Sequence, residues 1–550
     1  MEILSDCNQV LQIKWRRTGA PGEDAVASLL AYAGIRVSDE SGPLLVTVAD
    51  CLDPLLNQIA LSVSLQPWWI LRPGVLPAWI GPMFRPGDSV CWPCLAHCLR
   101  TRQPVDKAPH TGTWPPAAAI APLLRQFAAR SVESGVVFSF RDSGDEGIAA
   151  PVPRREHCDC TPRVGLPLDE WANNVTGLLA NPQAGQDEFG FWHCAARHVF
   201  PVPRGQSRSP LPPGSAFGSA QDLMAAHRSC IGEAIERYSS ARSDSAAIFR
   251  SRASDLPGAI DLASLHIIPD SNAFDPAKAI SWTPAQSLSS GEQGWIPACV
   301  AWLGYAAEEE TPWAVSGTNG CAAGPTSGDA LRSALLELIE RDALAIWWYN
   351  RLARPSIPLE MVDRNSGMEE AVAGLRRAGR LPVLLDLTTD LGIPVYAAIA
   401  PLRDGSSPVL GCGADTDPAA AARKAFREMM QCLYWSTRGL APALRTWLHH
   451  ADATQEKWLR PAGSLTPRPF AAGNSVSACI GALEARGVEA WKLDLTRRDI
   501  GIPVWRVVAP GLRSQLPVFS PGRLFTVPVL MGWSASPCAP ADLNPVACPL

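Results

Sequence analysis

Ser229-Cys-Ile-Gly-Glu233-Ala-Ile-Glu236-Arg237 returns later in the chain as Ser333-Ala-Leu-Leu-Glu337-Leu-Ile-Glu340-Arg341. Both strings read S-x3-E-x2-E-R. A third stretch, Lys424-Ala-Phe-Arg-Glu428-Met-Met-Gln431, keeps the spacing with an amine at its start and an amide at its end. In a helix, offsets of four and seven residues fall on one face. Each stretch therefore lines up a hydroxyl or amine, a carboxylate, and a second carboxylate or amide. The residues between are mainly Ile, Leu, Ala and Met, so the polar row runs along buried surface. Two acids three apart repel by roughly a few tenths of a kcal/mol on an exposed helix. The cost rises where they lose water, unless a cation sits between them. Oxygen-rich clusters suit Mg2+, which carboxylates commonly hold together with substrate phosphates. One such row alone reads as an exposed Glu/Arg face; three at matched spacing point to a shared cation site.

Outward from these rows the text alternates between helical and extended patterns. Residues 220–242, 327–351 and 418–438 have helical periodicity. Residues 382–387 and 393–398 read as strands flanking Thr388-Thr-Asp-Leu-Gly, and 488–495 and 503–508 repeat that strand, Asp-Leu-Thr, strand pattern. Residues 295–305 also read as a strand. The tract from Arg513 onward is proline-rich, with no strong helical period. Before the rows, 42–98 reads as strands and turns with a helix at 94–101, and 117–131 as a helix followed by a strand at 135–140. The expectation is an α/β protein with a small α/β unit over 1–163 and a larger domain over 164–550. A Pro/Gly-rich loop falls at 201–215.

The chain has 550 residues, which at about 150 per domain suggests two to four domains. An apolar content of 47% with 18% charged residues excludes a disordered chain. The net charge is −5 with no basic block, so no nucleic-acid partner is expected. The first residues carry no apolar signal-peptide core. Residues 59–79 are the most apolar stretch but contain Gln66, Arg72 and three prolines, which a bilayer would leave unsatisfied. The expected location is the cytoplasm, with no membrane partner.

Sixteen cysteines in such a chain favour free thiols or metal ligands over a disulfide framework. Cys91-x2-Cys94 and Cys158-x-Cys160 have the spacing of a four-thiolate structural zinc site; two unrelated pairs are the alternative. His193, His198 and His227 show no partner spacing and read as structural or surface residues. The loop Ser316-Gly-Thr318-Asn319-Gly320-Cys-Ala-Ala-Gly324 precedes the second row and could turn backbone N–H groups toward a phosphate. Neither a P-loop nor a dinucleotide fingerprint is present.

These residues resemble the YcaO family, in particular the D-proteins that form azolines in thiazole/oxazole-modified peptides. The resemblance is carried by Ser229 to Ser239, Thr318 to Gly324, Ser333 to Asp342, Ala425 to Gln431, Asp386-Leu-Thr388, Asp494-Leu-Thr496, Pro510-Gly-Leu512 and 522–532. It covers roughly 165–550. The stretch 76–87 with Cys91-Trp-Pro-Cys94-Leu resembles the shortened ThiF-like segment that precedes many such domains and often binds structural zinc.

What the resemblance implies is a YcaO-like ATP-binding α/β domain behind a small zinc-containing ThiF-like segment. Its reaction is ATP-dependent cyclodehydration of Cys, Ser or Thr in a ribosomal precursor peptide to thiazolines and oxazolines, by phosphorylation of the backbone amide oxygen. Bacteriocins and thiopeptides are products of such chemistry. Carried over by position, Ser229, Glu233, Glu236, Asn319, Glu337, Glu340, Arg341, Glu428 and Gln431 hold ATP and Mg2+. Cys91, Cys94, Cys158 and Cys160 hold Zn2+, and the tail residues Pro549 and Leu550 serve catalysis. The implied partners are the precursor peptide, a separate leader-peptide-binding protein, a downstream flavin dehydrogenase and a second copy in a homodimer. Three positions depart from the family pattern. Ala216-Phe-Gly218 stands where a Gly-Lys-Gly is usual, the tail lacks the central proline of Pro-x-Pro-x-Pro, and the second cysteine pair is C-x-C. These departures keep open a non-catalytic peptide-docking YcaO and a thioamide- or amidine-forming enzyme.

Overall fold

The computed structural model describes residues 11–550 except 21, 51, 63–65, 74, 88–89, 103–109, 112–115, 141–146, 156–157, 159–165, 205, 207, 266–274, 276, 306–313, 315–316, 363–367, 440–446 and 448–450. The chain divides into two compact units. One comprises Met1–Asn181, Arg197–Gly214 and Arg498–Gly501; the other comprises Pro182–Ala196, Ser215–Arg497 and Ile502–Leu550.

The first unit is built on a seven-stranded sheet. Its order is Ile35–Val37, Leu11–Arg16, Leu44–Thr47, Trp68–Arg72, Ala78–Phe84, Val136–Phe140 and Ile148–Pro151. The first four strands pair in parallel, and the rest add antiparallel. Parallel strands are covered on both faces, so they read as continuous apolar runs. Alternate residues accordingly feed different cores. Leu45 and Trp69 join Val26, Leu30, Ile120, Leu124 and Phe127 from the helices Glu23–Tyr32 and Ala117–Ala128. Val46, Trp68 and Ile70 join Leu56, Ile59, Leu95 and Leu99 from Leu55–Ser62 and Trp92–Arg102. The helix Leu55–Ser62 lies inside a tract whose sequence reads as strands and turns; its eight residues are too few to display a period against the flanking apolar strands.

Among the described residues, the second unit holds three sheets. Gln183–Gln186, Trp192–His198 and Gly214–Ala220 form the smallest. The largest takes the order Phe249–Ser251, Ile280–Ser287, Trp491–Asp494, Val504–Val508 and Cys321–Ala323, with Gln293–Pro297 also on Ile280–Ser287. Ser356–Ile357, Val383–Asp386, Val395–Ala400 and Val409–Ala414 make an antiparallel meander. The tract 295–305 is a strand only to Pro297 and then turns into a short helix, Ala298–Ala301, because proline at 297 supplies no amide to extend the ladder. The tract after Arg513 contains a helix, Arg523–Leu530, whose period is hidden by Pro528.

The three polar rows lie on helices, as their spacing predicts: Leu223–Ser240, Ser327–Asn350 and Pro418–Thr437. Each opens on a side-chain cap. Asp222 accepts from Ala225 N, Thr326 from Asp329 N, and Asp417 from Ala419 and Ala420 N, with Pro418 at the first helical position. The C-terminal half of the second helix, Asp342 to Tyr349, is buried in the unit's main core. The third packs Ala425, Phe426, Met429 and Met430 against the meander and Phe191.

Candidate active site

Each row helix is preceded by a strand, and each lies so close to that strand that a side chain would not fit between them. A Cβ on Gly218 would sit 2.2 Å from Ala226 O and 2.5 Å from Cys230 N. One on Gly324 would sit 2.5 Å from Ala330 N, and one on Gly411 2.1 Å from Met429 N. This approach lets the first acid of each row accept a backbone N–H from its own strand or loop. Phe217 N donates to Glu233 Oε2 at 2.6 Å, Gly320 N to Glu337 Oε2 at 3.2 Å, and Cys412 N to Glu428 Oε2 at 2.5 Å. The sequence separations are 16, 17 and 16 residues. The repeat read as side-chain spacing is thus a repeated strand–turn–helix device that fixes a carboxylate by its main chain. Glu340 takes a fourth amide, Ala414 N, at 3.2 Å.

The second and third rows converge on Arg341. Its guanidinium lies 3.9 Å from Glu337, 3.6 Å from Glu340 and 4.0 Å from Glu428. The side chain is 14% exposed, yet Nε and Nη1 have no hydrogen-bond partner. Burial would lower the arginine's pKa, but Glu340, Glu428 and Glu337 raise it, so it stays charged. Arg341 alone does not neutralise three acids, although Arg506 also pulls on Glu337 and Arg427 on Glu428. Burial, together with repulsion from Glu340 and against the pull of Arg341, lifts Glu337 and Glu428 from an ordinary 4.5 to about 7.

The first row adds to this acid excess. Glu233 pairs with Arg237, whose Nη1 also donates to Ser215 O at 2.9 Å; burial still raises the Glu233 carboxyl. Burial, then Glu337 and Glu233, pushes Glu236 well above its usual range. That mutual influence brings the first row to the other two. Arg506, buried in the strand Val504–Val508, donates to Gly317 O at 2.8 Å and to Cys321 Sγ at 3.3 Å, and pulls against the raised pKa of Glu236 and Glu337. The sequence signal for Arg506 is one charge in an otherwise apolar strand.

The other expected site residues fall as follows. Ser229 is exposed one turn before Glu233 on the first helix, and Gln431 is half-buried just beyond Glu428 on the third. Asn319 Nδ2 donates to Gln515 Oε1 at 2.6 Å and Ser514 Oγ at 3.2 Å. Ser316 lies outside the described residues, and the Gly320 N–H of its loop is committed to Glu337 rather than open to a phosphate. Lys424 is held by Asp415 Oδ2 at 2.8 Å, and Arg332 grips Asp415 Oδ1 at 2.7 Å; despite burial, the two cations hold Asp415 down at about 2.

The C-terminal tail reaches the rows. Asn544 N donates to Tyr349 O at 2.7 Å, and Trp348 Nε1 donates to Val546 O at 2.7 Å. Burial raises the Cys548 thiol to about 12, modulated by Arg341 and Glu428, so the residue before Pro549 sits within electrostatic reach of both. Leu550 packs against the main core.

In the first unit, Cys91 Sγ is 3.2 Å from Cys158 Sγ and 3.6 Å from Cys94 Sγ, and all three lie within 4.8 Å of one another. Contact with Cys91, and burial, drive the Cys94 thiol far up. Sulfurs bound tetrahedrally at about 2.3 Å stand roughly 3.8 Å apart, so the cluster has nearly the dimensions of a thiolate metal site. Cys160 lies outside the described residues. No helix among the described residues is long and apolar enough to cross a membrane.

The model of the family described as YcaO cyclodehydratase, ATP- and Mg2+-binding, matches residues 217–513. A solved heterocyclase in complex with substrate and cofactor superposes with a TM-score of 0.84 at 25% identity, over 98% of this chain and 86% of that one. The heterocyclase TruD superposes at 0.72 and 25% identity, over 98% and 84%. An uncharacterised protein of Methanothermobacter thermautotrophicus is 29% identical over 327 residues, 54% of this chain and 80% of that protein. An uncharacterised protein from the tfuA 3' region of Rhizobium leguminosarum bv. trifolii is 28% identical over 266 residues, 44% of this chain and 62% of its own length.

Proposed function

The chain belongs to the YcaO family, and on that premise we propose that it is an ATP-dependent cyclodehydratase that converts Cys, Ser or Thr residues of a ribosomal precursor peptide to azolines. The observation that carries the reading is the convergence of Glu337, Glu340 and Glu428 on the single, incompletely bonded Arg341. Glu337 and Glu428, raised to about 7, mark a surplus of negative charge that a divalent cation would relieve. Hard oxygen donors fit Mg2+. When bound, Mg2+ supplies charge stabilisation to a transferring phosphoryl group. The free Nε–H and Nη1–H of Arg341 fit phosphate oxygens as further acceptors.

In this reading Glu233, Glu236, Glu337, Glu340, Glu428 and Gln431 hold Mg2+ and nucleotide, and the exposed Ser229 lines the same face. Asn319 acts through the 514–515 segment it is bound to. The peptide side chain attacks the preceding amide carbonyl and closes the ring, the oxyanion takes the γ-phosphoryl group from ATP, and phosphate leaves as the amide nitrogen gives up its proton and the C=N bond forms. An amide oxygen is a poor leaving group and a phosphate a good one, which is why ATP is needed. Pro549 and Leu550 follow a residue that already feels Arg341 and Glu428. They belong at the reacting end of the site, where their apolar side chains would shield it from water. Cys91, Cys94 and Cys158, with Cys160, hold structural Zn2+. The peptide's leader is bound by a separate partner protein, and a flavin dehydrogenase oxidises azolines downstream.

The test is phosphate release with Mg·ATP, the precursor peptide and its leader-binding partner. Replacing Glu337→Gln with Glu340→Gln is expected to abolish precursor-stimulated release, with a product mass lower by one water per ring in the wild type only. Release from the wild type at the level of the double variant, with precursor bound, would make the chain a docking protein. Release with oxygen exchanged for sulfur instead of loss of water would make it a thioamide-forming enzyme; an amidine, in which an amine replaces the amide oxygen, also loses one water and would be told from an azoline by the intact Cys, Ser and Thr side chains in its fragmentation pattern.

A further inference from the structure

A buried relay lies away from the acid rows. His193 is wholly buried, on the strand Trp192–His198. Its Nε2 is 2.8 Å from Asp187 Oδ2 and its Nδ1 2.8 Å from Ser219 Oγ. A carboxylate facing Nε2 fixes the proton there, so Nδ1 accepts from the Ser219 hydroxyl. Asp187 is itself fixed, because Oδ1 accepts from Phe189 N at 2.9 Å and Phe191 N at 2.8 Å in the hairpin turn. The three residue types suggest a nucleophile relay, but Ser219 is 2% exposed and no substrate reaches it.

The relay instead joins two of the row helices. Ser219 lies on Gly214–Ala220, two residues from Phe217 and so on the same strand face. Phe217 N donates to Glu233 of the first row, while its ring lies 5.5 Å from Trp435 on the third helix. The imidazole of His193 stacks on Tyr434 of that third helix at 4.1 Å and 14°. Arg438 covers the Tyr434 ring at 3.6 Å, and Tyr434 packs edge-on to Trp435 at 4.7 Å. His193 therefore grips the strand that holds Glu233 by a hydrogen bond and the helix that carries Glu428 by a stacked face.

We propose that His193, oriented by Asp187 and bonded to Ser219, is a positioning residue that sets the first carboxylate row against the third and so tunes the affinity for Mg·ATP. This rests on the functional reading above, and the test separates the two. His193→Phe keeps a ring on Tyr434 and deletes both hydrogen bonds. Hydrogen exchange on the intact chain is expected to show faster exchange of the amides of 214–220, Phe217 included, with the amides of 409–414 unchanged. Mg·ATP affinity by calorimetry, and KM, should weaken about 10-fold with kcat within about twofold, the pattern of lost uniform binding. Should His193→Phe not fold, Ser219→Ala, which removes one leg only, is expected to give the same pattern in smaller degree. Exchange and affinity both unchanged, or exchange accelerated evenly through the second unit, would overturn the proposal. A wild type that does not bind Mg·ATP would sink the functional reading, and the localised exchange change would then decide the joint alone.

Discussion

The thiol cluster of the first unit and the carboxylate cluster of the second set the same physical problem and answer it differently. Both crowd groups that repel one another once ionised. The sulfurs come from a helix start and a distant loop, within 4.8 Å, and their donors are soft. Nothing but a metal would hold them so in the ionised state. The acids come from three copies of one module, each anchored by a backbone amide and surrounding a built-in arginine. The second cluster is framed by the fold; on the proposed reading, the first would be framed by its cation. A structural site and a working site differ in that direction of dependence.

The largest expected effect breaks the first cluster. Cys91→Ser with Cys94→Ser should remove bound zinc, read as metal per chain by mass spectrometry. Unfolding of the first unit should fall by several kcal/mol, since structural zinc contributes on that order. Chelating Mg2+ from the wild type should by contrast leave unfolding almost unchanged. Equal sensitivity to the two losses would erase the distinction. Next in size, Gly411→Val should push the third helix off its strand, because the added Cβ meets Met429 N at 2.1 Å. A loss of stability of about 2–4 kcal/mol is expected from overpacking and the displaced helix, with Mg·ATP binding lost by calorimetry even where folding survives.

The smallest effect concerns pH. Glu337 and Glu428 titrate at about 7 in the folded chain and near 4.5 when unfolded. A raised folded pKa means that the native state binds more protons than the unfolded one. Their contribution to stability is full below about 4.5 and is lost as pH rises through about 7. Without Mg2+, unfolding free energy should fall between pH 5 and 8; with saturating Mg2+, which favours the ionised carboxylates, that slope should flatten. A slope identical with and without Mg2+ would place the cation elsewhere.

The acid rows were legible because a helix converts sequence spacing directly into a face, and Ser229, Glu233, Glu236, Glu337, Glu340 and Glu428 all fall on the three expected helices. What spacing does not contain is the partner across the fold. Asn319 is bonded to Ser514 and Gln515, residues distant in sequence that no spacing announces. Arg506 faces Cys321 only because two strands pair. His193 carried no signal at all, since Asp187 and Ser219 meet it through a hairpin and a sheet rather than through a period. The Asp342–Arg523 pair, at 2.7 Å, ties the second row helix to a helix whose own period was hidden by a proline. Local order was readable where it repeats, and tertiary pairing was not.

Anchoring acids by main-chain amides across glycine-backed contacts has a consequence for how this chain tolerates change. Exhaustive substitution would map the site in negative. The buried apolar residues between the acids, such as Ile235, Ile339, Met429 and Met430, would accept exchanges that conserve volume. A single methyl at Gly218, Gly324 or Gly411 would register as strongly as the loss of an acid. Sequence drift could therefore rewrite most of what surrounds the nucleotide while the skeleton of the site stays still.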